Sequence, residues 1–96
     1  MTLTRDEIVA ELKTVFDPEI SLDIWTMGLI YDIVIKNDTE VFITMTYTTP
    51  MCPFGPELTQ QVKEKLTDLG ATLVDIDITF EPVWKPSEEL RLMLGI

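Results

Sequence analysis

A chain of 96 residues, 46% of them hydrophobic, can fill one folded core but is too short for a second, so a single domain over residues 1–96 is expected. Seven Lys and Arg against seventeen Asp and Glu leave a net charge of -10, which repels phosphate backbones and anionic headgroups and argues against nucleic acid or a membrane surface as partner. One Cys and no His exclude an internal disulfide and any Ser-His or Cys-His catalysis within the chain.

The chain becomes charged at once at Arg5, Asp6 and Glu7. No apolar run reaches the roughly 18 residues that a membrane span needs, so a cytoplasmic setting is expected. Thr4-Arg5-Asp6-Glu7 has the pattern of a capping box, in which Thr4 bonds the amide of Glu7 and Glu7 reaches back to Thr4. The helix that follows has Ile8, Val9, Leu12, Val15 and Phe16 as its core stripe, and Pro18 stops it near Phe16 or Asp17. Asp17-Pro18-Glu19-Ile20 is then a loop with two carboxylates. On spacing alone Asp17 reads as a helix-ending turn residue and Glu19 as a solvated charge. The alternation Ile20, Leu22, Ile24 predicts an extended run against the core.

Gly28 opens a strand over residues 29–35, with Leu29, Tyr31, Ile33 and Ile35 on one face and Asp32 and Lys36 on the other. Lys36-Asn37-Asp38-Thr39 is a turn signal, and residues 40–48 resume alternation with Val41, Ile43, Met45 and Tyr47 facing one way and a mixed set, Phe42, Thr44 and Thr46, facing the other. The two strands form an antiparallel hairpin.

Thr48-Thr49-Pro50-Met51-Cys52-Pro53 joins this strand to a helix marked by Leu58, Val62, Leu66 and Leu69. Prolines on both sides stiffen the backbone around the thiol. A start near Phe54 or Gly55 keeps Pro56 out of positions that need an amide, and Gly70 closes the helix. Cys52 therefore lies just before a helix N-terminus, where amide dipoles favour a thiolate and the hydroxyls of Thr48 and Thr49 add donors. Two readings stand side by side: a reactive thiol, or a buried structural cysteine acting as a small hydrophobe.

Residues 74–80 alternate Val74, Ile76, Ile78 and Phe80 with Asp75, Asp77 and Thr79, a strand with one acidic, solvent-facing side. A stiff arm, Glu81-Pro82-Val83-Trp84-Lys85-Pro86, leads to a short helix over residues 90–94, with Ser87 as cap, Glu88 and Glu89 at its start and Gly95 at its end. The expected fold is α+β: a three-stranded sheet with the first two helices on one face, because a sheet covered on both faces would read as continuous apolar runs. The first helix ends, and the second begins, at loops that should share one end of the domain, bringing Asp17, Glu19 and Cys52 together.

Four stretches in order, Asp17-Pro18-Glu19-Ile20, Gly28-Leu29-Ile30-Tyr31-Asp32-Ile33, Thr48-Thr49-Pro50-Met51-Cys52-Pro53 and Pro82-Val83-Trp84, resemble the small iron-sulfur cluster assembly domain family that includes SufT, the PaaD component of phenylacetate degradation and the eukaryotic cytosolic iron-sulfur targeting subunit. The resemblance implies a two-layer sandwich similar to the C-terminal domain of NifU scaffolds and a non-enzymatic, accessory role in maturing iron-sulfur proteins. Carried over by position, the family's site involves Asp17, Glu19, Thr48, Thr49 and Cys52, with Cys52, Asp17 and Glu19 as metal ligands. The implied cargo is transient iron or an iron-sulfur cluster, and the implied partners are the assembly machinery or client apoproteins; a homodimer is compatible with this. Clusters usually take four cysteine ligands, so one chain with one cysteine needs thiols from a second chain, a client or an added compound.

PaaD-type members carry extra C-terminal cysteines that this chain lacks, which favours the stand-alone SufT-like reading over a PaaD-like component of a phenylacetate-degradation complex. Many relatives follow Pro-x-Trp with Thr-Pro and a later Met-Ser, whereas Lys85-Pro86-Ser87-Glu88 follows here in a shorter tail. Two further classes remain as alternatives. One is a thiol-dependent enzyme with Cys52 as nucleophile and Asp17 or Glu19 as base, which is weakened because a carboxylate is a poor base for a thiol. The other is a protein-interaction scaffold in which the cysteine is structural.

Overall fold

The computed structural model describes residues 2–17, 21–48 and 55–95. Its elements in chain order are α1 (Arg5–Leu12), β1 (Ile30–Lys36), β2 (Glu40–Met45), α2 (Gly55–Leu69), β3 (Leu73–Ile78) and α3 (Glu88–Leu94).

Thr4 starts α1 as its sequence requires: the hydroxyl oxygen accepts from the Glu7 amide at 3.2 Å. The return bond differs from the usual box, since the Thr4 hydroxyl donates to Glu7 Oε1 at 3.0 Å. The helix stops at Leu12 rather than at Phe16 or Asp17. Thr14 and Val15 donate to the carbonyls of Glu11 and Leu12, three residues back, and the Thr14 hydroxyl takes the Glu11 carbonyl at 2.6 Å. The chain then extends, and residues 15–17 pair with residues 22–24 through Ile24 N to Val15 O and Asp17 N to Leu22 O, both 2.9 Å. Extended backbone alternates sides, so Val15 and Asp17 are buried while Phe16, expected in the core, is 50% exposed. Beyond this pair, Leu22 is half-buried and Ile24 fully buried; Ile20 is outside the described residues.

β1 and β2 form the expected antiparallel hairpin, turning through Asn37 (φ 52°) and Asp38 (φ 69°), residue types that tolerate the left-handed region. The facing of β1 is corrected at one residue. Ile30 pairs with Met45 but Asp32 pairs with Thr44, so Tyr31 is an extra residue in a bulge, and Ile30 rather than Tyr31 shares the core face with Ile33 and Ile35. β2 ends at Met45, short of Thr48, because its partner strand begins at Ile30; one more bond follows, from Thr46 N to Leu29 O at 2.9 Å. Thr46, placed in a mixed row by alternation, is fully buried. β3 runs parallel to β2 and ends at Ile78, two residues before Phe80, giving the sheet order β1-β2-β3.

Ile8 and Leu12 of α1, and Leu58, Val62 and Leu66 of α2, meet Val41, Ile43 and Met45 of the central strand in one buried cluster. Both helices therefore cover one face of the sheet, and the fold is α+β as the one-sided strand patterns require. The hairpin turn anchors the far ends of both helices. Leu3 N donates to Asp38 O at 2.9 Å just before α1, while Thr72, just after α2, donates its amide to Thr39 O at 3.0 Å and shares a 2.9 Å hydroxyl contact with Thr39. Hence α1 ends, and α2 begins, at the opposite end of the sheet. α3 begins at Glu88, two residues before its predicted start, with Ser87 accepting from Leu90 N at 3.1 Å and Gly95 left-handed at its end.

Candidate functional site

The end of the sheet away from the hairpin turn is built by backbone bonds among segments far apart in sequence. Val15 O accepts from Ile24 N at 2.9 Å, Ile24 O from Leu29 N at 3.1 Å, and Leu29 O from Thr46 N at 2.9 Å. Met45 O accepts from Thr79 N at 2.9 Å. This relay ties the α1 exit, the start of β1, the end of β2 and the end of β3 into one structure.

Asp17 is 5% exposed at the head of its loop. Its amide donates to Leu22 O and its carbonyl accepts from Ser21 N, both at 2.9 Å, so the chain returns on itself there, with Ser21 at φ 55°. On the β2 side, the buried Thr46 hydroxyl donates to Tyr47 O at 3.2 Å, and Thr48 is half-buried. The Tyr47 ring lies against Gly55, the first residue of α2, and a Cβ at residue 55 would fall 2.6 Å from ring carbons Cε2 and Cζ. The Phe80 ring neighbours that of Tyr47, its centroid 6.2 Å away and its plane tilted by 60°.

The C-terminal arm docks at this same end. Trp84 Nε1 donates to Met27 O at 2.7 Å, and the Tyr31 hydroxyl donates to Pro82 O at 2.8 Å. The bulge at Tyr31 thus has a partner, and Trp84 packs across the edge of the core beside Gly28 (φ 77°).

Of the residues that the sequence singles out, Asp17 and Thr48 stand at this end, one after the α1 exit and one between β2 and α2. Glu19, Thr49 and Cys52 lie outside the described residues. Among the described residues no three His, Cys, Asp or Glu side chains gather as a metal site would require, so the described donors do not by themselves make a resident metal centre. Tyr47, Gly55 and Phe80 belong to the same end, although periodicity placed Tyr47 and Phe80 as plain strand positions. The close ring contact of Gly55 is a tertiary feature with no local signal. No described helix is long and apolar enough to cross a membrane.

Residues 5–79 match the family described as iron-sulfur cluster assembly protein. The chain is similar to the Fe-S protein maturation auxiliary factor of Porphyromonas gingivalis, 42% identical over 96% of this chain and 91% of that one. It is also similar to the Fe-S protein maturation auxiliary factor SufT of Staphylococcus aureus, 30% identical over 85% and 98%. Among solved structures, a conserved hypothetical protein from Thermotoga maritima superposes with a TM-score of 0.86 at 36% identity, covering 99% of this chain and 97% of its own. On the match of most of its length and the agreement of sequence and fold, the chain belongs to the iron-sulfur cluster assembly protein family.

Proposed function

We propose that this chain is a SufT-like accessory factor in the maturation of iron-sulfur proteins, and that it meets its metal, cluster or client at Cys52, with Asp17 and Glu19 as carboxylate partners and Thr48 and Thr49 as flanking hydroxyls. The maturation-factor names of its relatives from P. gingivalis and S. aureus support the role. The observation that carries the choice of site is the shared end of the sheet: α1 gives way to the buried Asp17, and β2 to Thr48, at the end where α2 begins.

The chemistry follows from the donor set. Iron or a cluster is cargo here, because one thiolate cannot complete the four-sulfur ligation that clusters usually take, and the remaining ligands come from a client or a second thiol source. A cation arriving at the thiol drives off its proton, and nearby carboxylates offset the added positive charge. Weak, incomplete ligation suits a factor that must also let go.

Anaerobic incubation with ferrous iron, sulfide and a four-cysteine apoprotein tests this. Wild-type protein should accelerate formation of the client's cluster absorbance, Cys52→Ser should lose about tenfold of that rate or more, and Asp17→Asn should lose part of it. Equal rates for wild type and Cys52→Ser would remove the thiol from the function, and client binding that survives the same substitution would make the chain an interaction scaffold.

A further inference from the structure

Among the described residues, the sheet face turned away from α1 and α2 leaves several side chains exposed, yet it is not uniformly polar. Phe42 sits at the middle of the central strand, with Val34 opposite it on β1 and Leu73 diagonal to it on β3. Val34 is 38% exposed and Leu73 45%. Around them stand Asp32, Asp75 and Asp77, all exposed. The register sets Asp32 and Asp77 on either side of Thr44, about 10 Å apart across two strand spacings, and Asp75 about 7 Å along β3 from Asp77. Lys36 reaches over this surface and holds its ammonium 5.1 Å from the Phe42 ring centroid.

We propose that this face is a docking surface for a basic segment of a partner protein, with one Arg or Lys over Phe42 and others among Asp32, Asp75 and Asp77. Charge complementarity selects that occupant. Anionic lipid and nucleic acid are repelled by the carboxylates, and an acidic second copy of this chain is repelled as well. The Lys36 ammonium lies 5.1 Å from the Phe42 centroid, a geometry that an incoming Arg or Lys would reproduce on displacing Lys36 from the ring. Carboxylates spread about 7 to 10 Å apart match several basic side chains on one segment rather than a single ion. The exposed apolar side chains between them supply the desolvated contact that charge alone lacks. No residue of this surface is among those proposed to act with Cys52, so the two proposals can fail separately.

The test uses a synthetic amphipathic peptide of alternating Arg and Leu as probe, with the isotope-labelled full chain observed by amide shifts. Shifts should concentrate on residues 32–36, 40–44 and 73–77. The double variant Asp75→Asn/Asp77→Asn should weaken binding about tenfold, and Phe42→Leu should weaken it further at raised salt, where charge is screened. Glu57→Gln/Asp68→Asn removes the same charge from α2 and should change affinity less than about twofold. Equal losses for the two double variants, shifts spread over the whole surface, or no binding at low salt would each overturn the proposal.

Discussion

The Tyr47 ring rests on the backbone of Gly55 at a distance that leaves no room for a methyl group: a Cβ there would come within 2.6 Å of two ring carbons. The last residue before Thr48 and the first residue of α2 are thus held in direct contact.

Gly55→Ala should destabilise the protein by roughly 1–3 kcal/mol, the usual range for overpacking. For a domain of this size that is a fall in melting temperature of about 4–8 °C per kcal/mol. Removing the ring as well, in Tyr47→Ala/Gly55→Ala, should cost less than the sum of the single changes, since the clash disappears with its partner. Strict additivity in denaturant unfolding would mean that the two residues do not bear on each other.

Trp84 Nε1 donates to the carbonyl of the buried Met27 at 2.7 Å. Trp84→Phe keeps an aromatic ring but leaves that carbonyl without its donor, at an expected cost of about 1–3 kcal/mol measured by chemical unfolding. Loss of the bond should also free the arm, so cleavage by elastase after the exposed Val83 should quicken.

Most of the fold was legible because its elements are set by local chemistry: the Thr4 cap, the Asn37-Asp38 turn, the one-sided β3 and the start of α2 at Gly55 are each written in neighbouring residues. The misjudged places are those where a distant partner decides. Val15 is buried whether the chain there is helical or extended, so the apolar stripe could not signal that Asp17 pairs with Leu22 and ends the helix early. Leu29-Ile30-Tyr31 offers apolar side chains in both phases, which hides the bulge that moves Ile30 to the core face. At the candidate site, Asp17 and Thr48 are named by the family resemblance, since spacing alone reads Asp17 as a turn residue, while the Tyr47 and Gly55 contact depends on how α2 returns to the sheet.

The early end of α1 has a direct energetic test. Leu12→Ala, fully buried, should cost about 2–5 kcal/mol. Phe16→Ala, at a half-exposed position, should cost under about 1 kcal/mol, far below the usual ~3–5 kcal/mol for a core phenylalanine. Comparable losses for the two in urea unfolding would return Phe16 to the core.

Thr4→Ala removes the acceptor for the Glu7 amide and the donor to its carboxylate together, and should cost about 1 kcal/mol, with Thr4→Ser recovering most of it. Equal stability of the Ala and Ser variants would show that the cap is idle.

The hairpin turn fastens the start of α1 and the exit of α2 through Asp38, Thr39 and Thr72, and the connections there, residues 37–39 and 70–72, are short. At the other end α1, β2 and β3 stop, and the longer connections of the chain begin. The domain is consequently closed by short turns at one pole and by bonds between long loops at the other. Exchanges at exposed positions of the long connections that spare the bonds of Ile24, Leu29, Thr46 and Trp84 should alter what this pole presents while keeping strand register, so a library confined to them would sample new specificities on an unchanged frame.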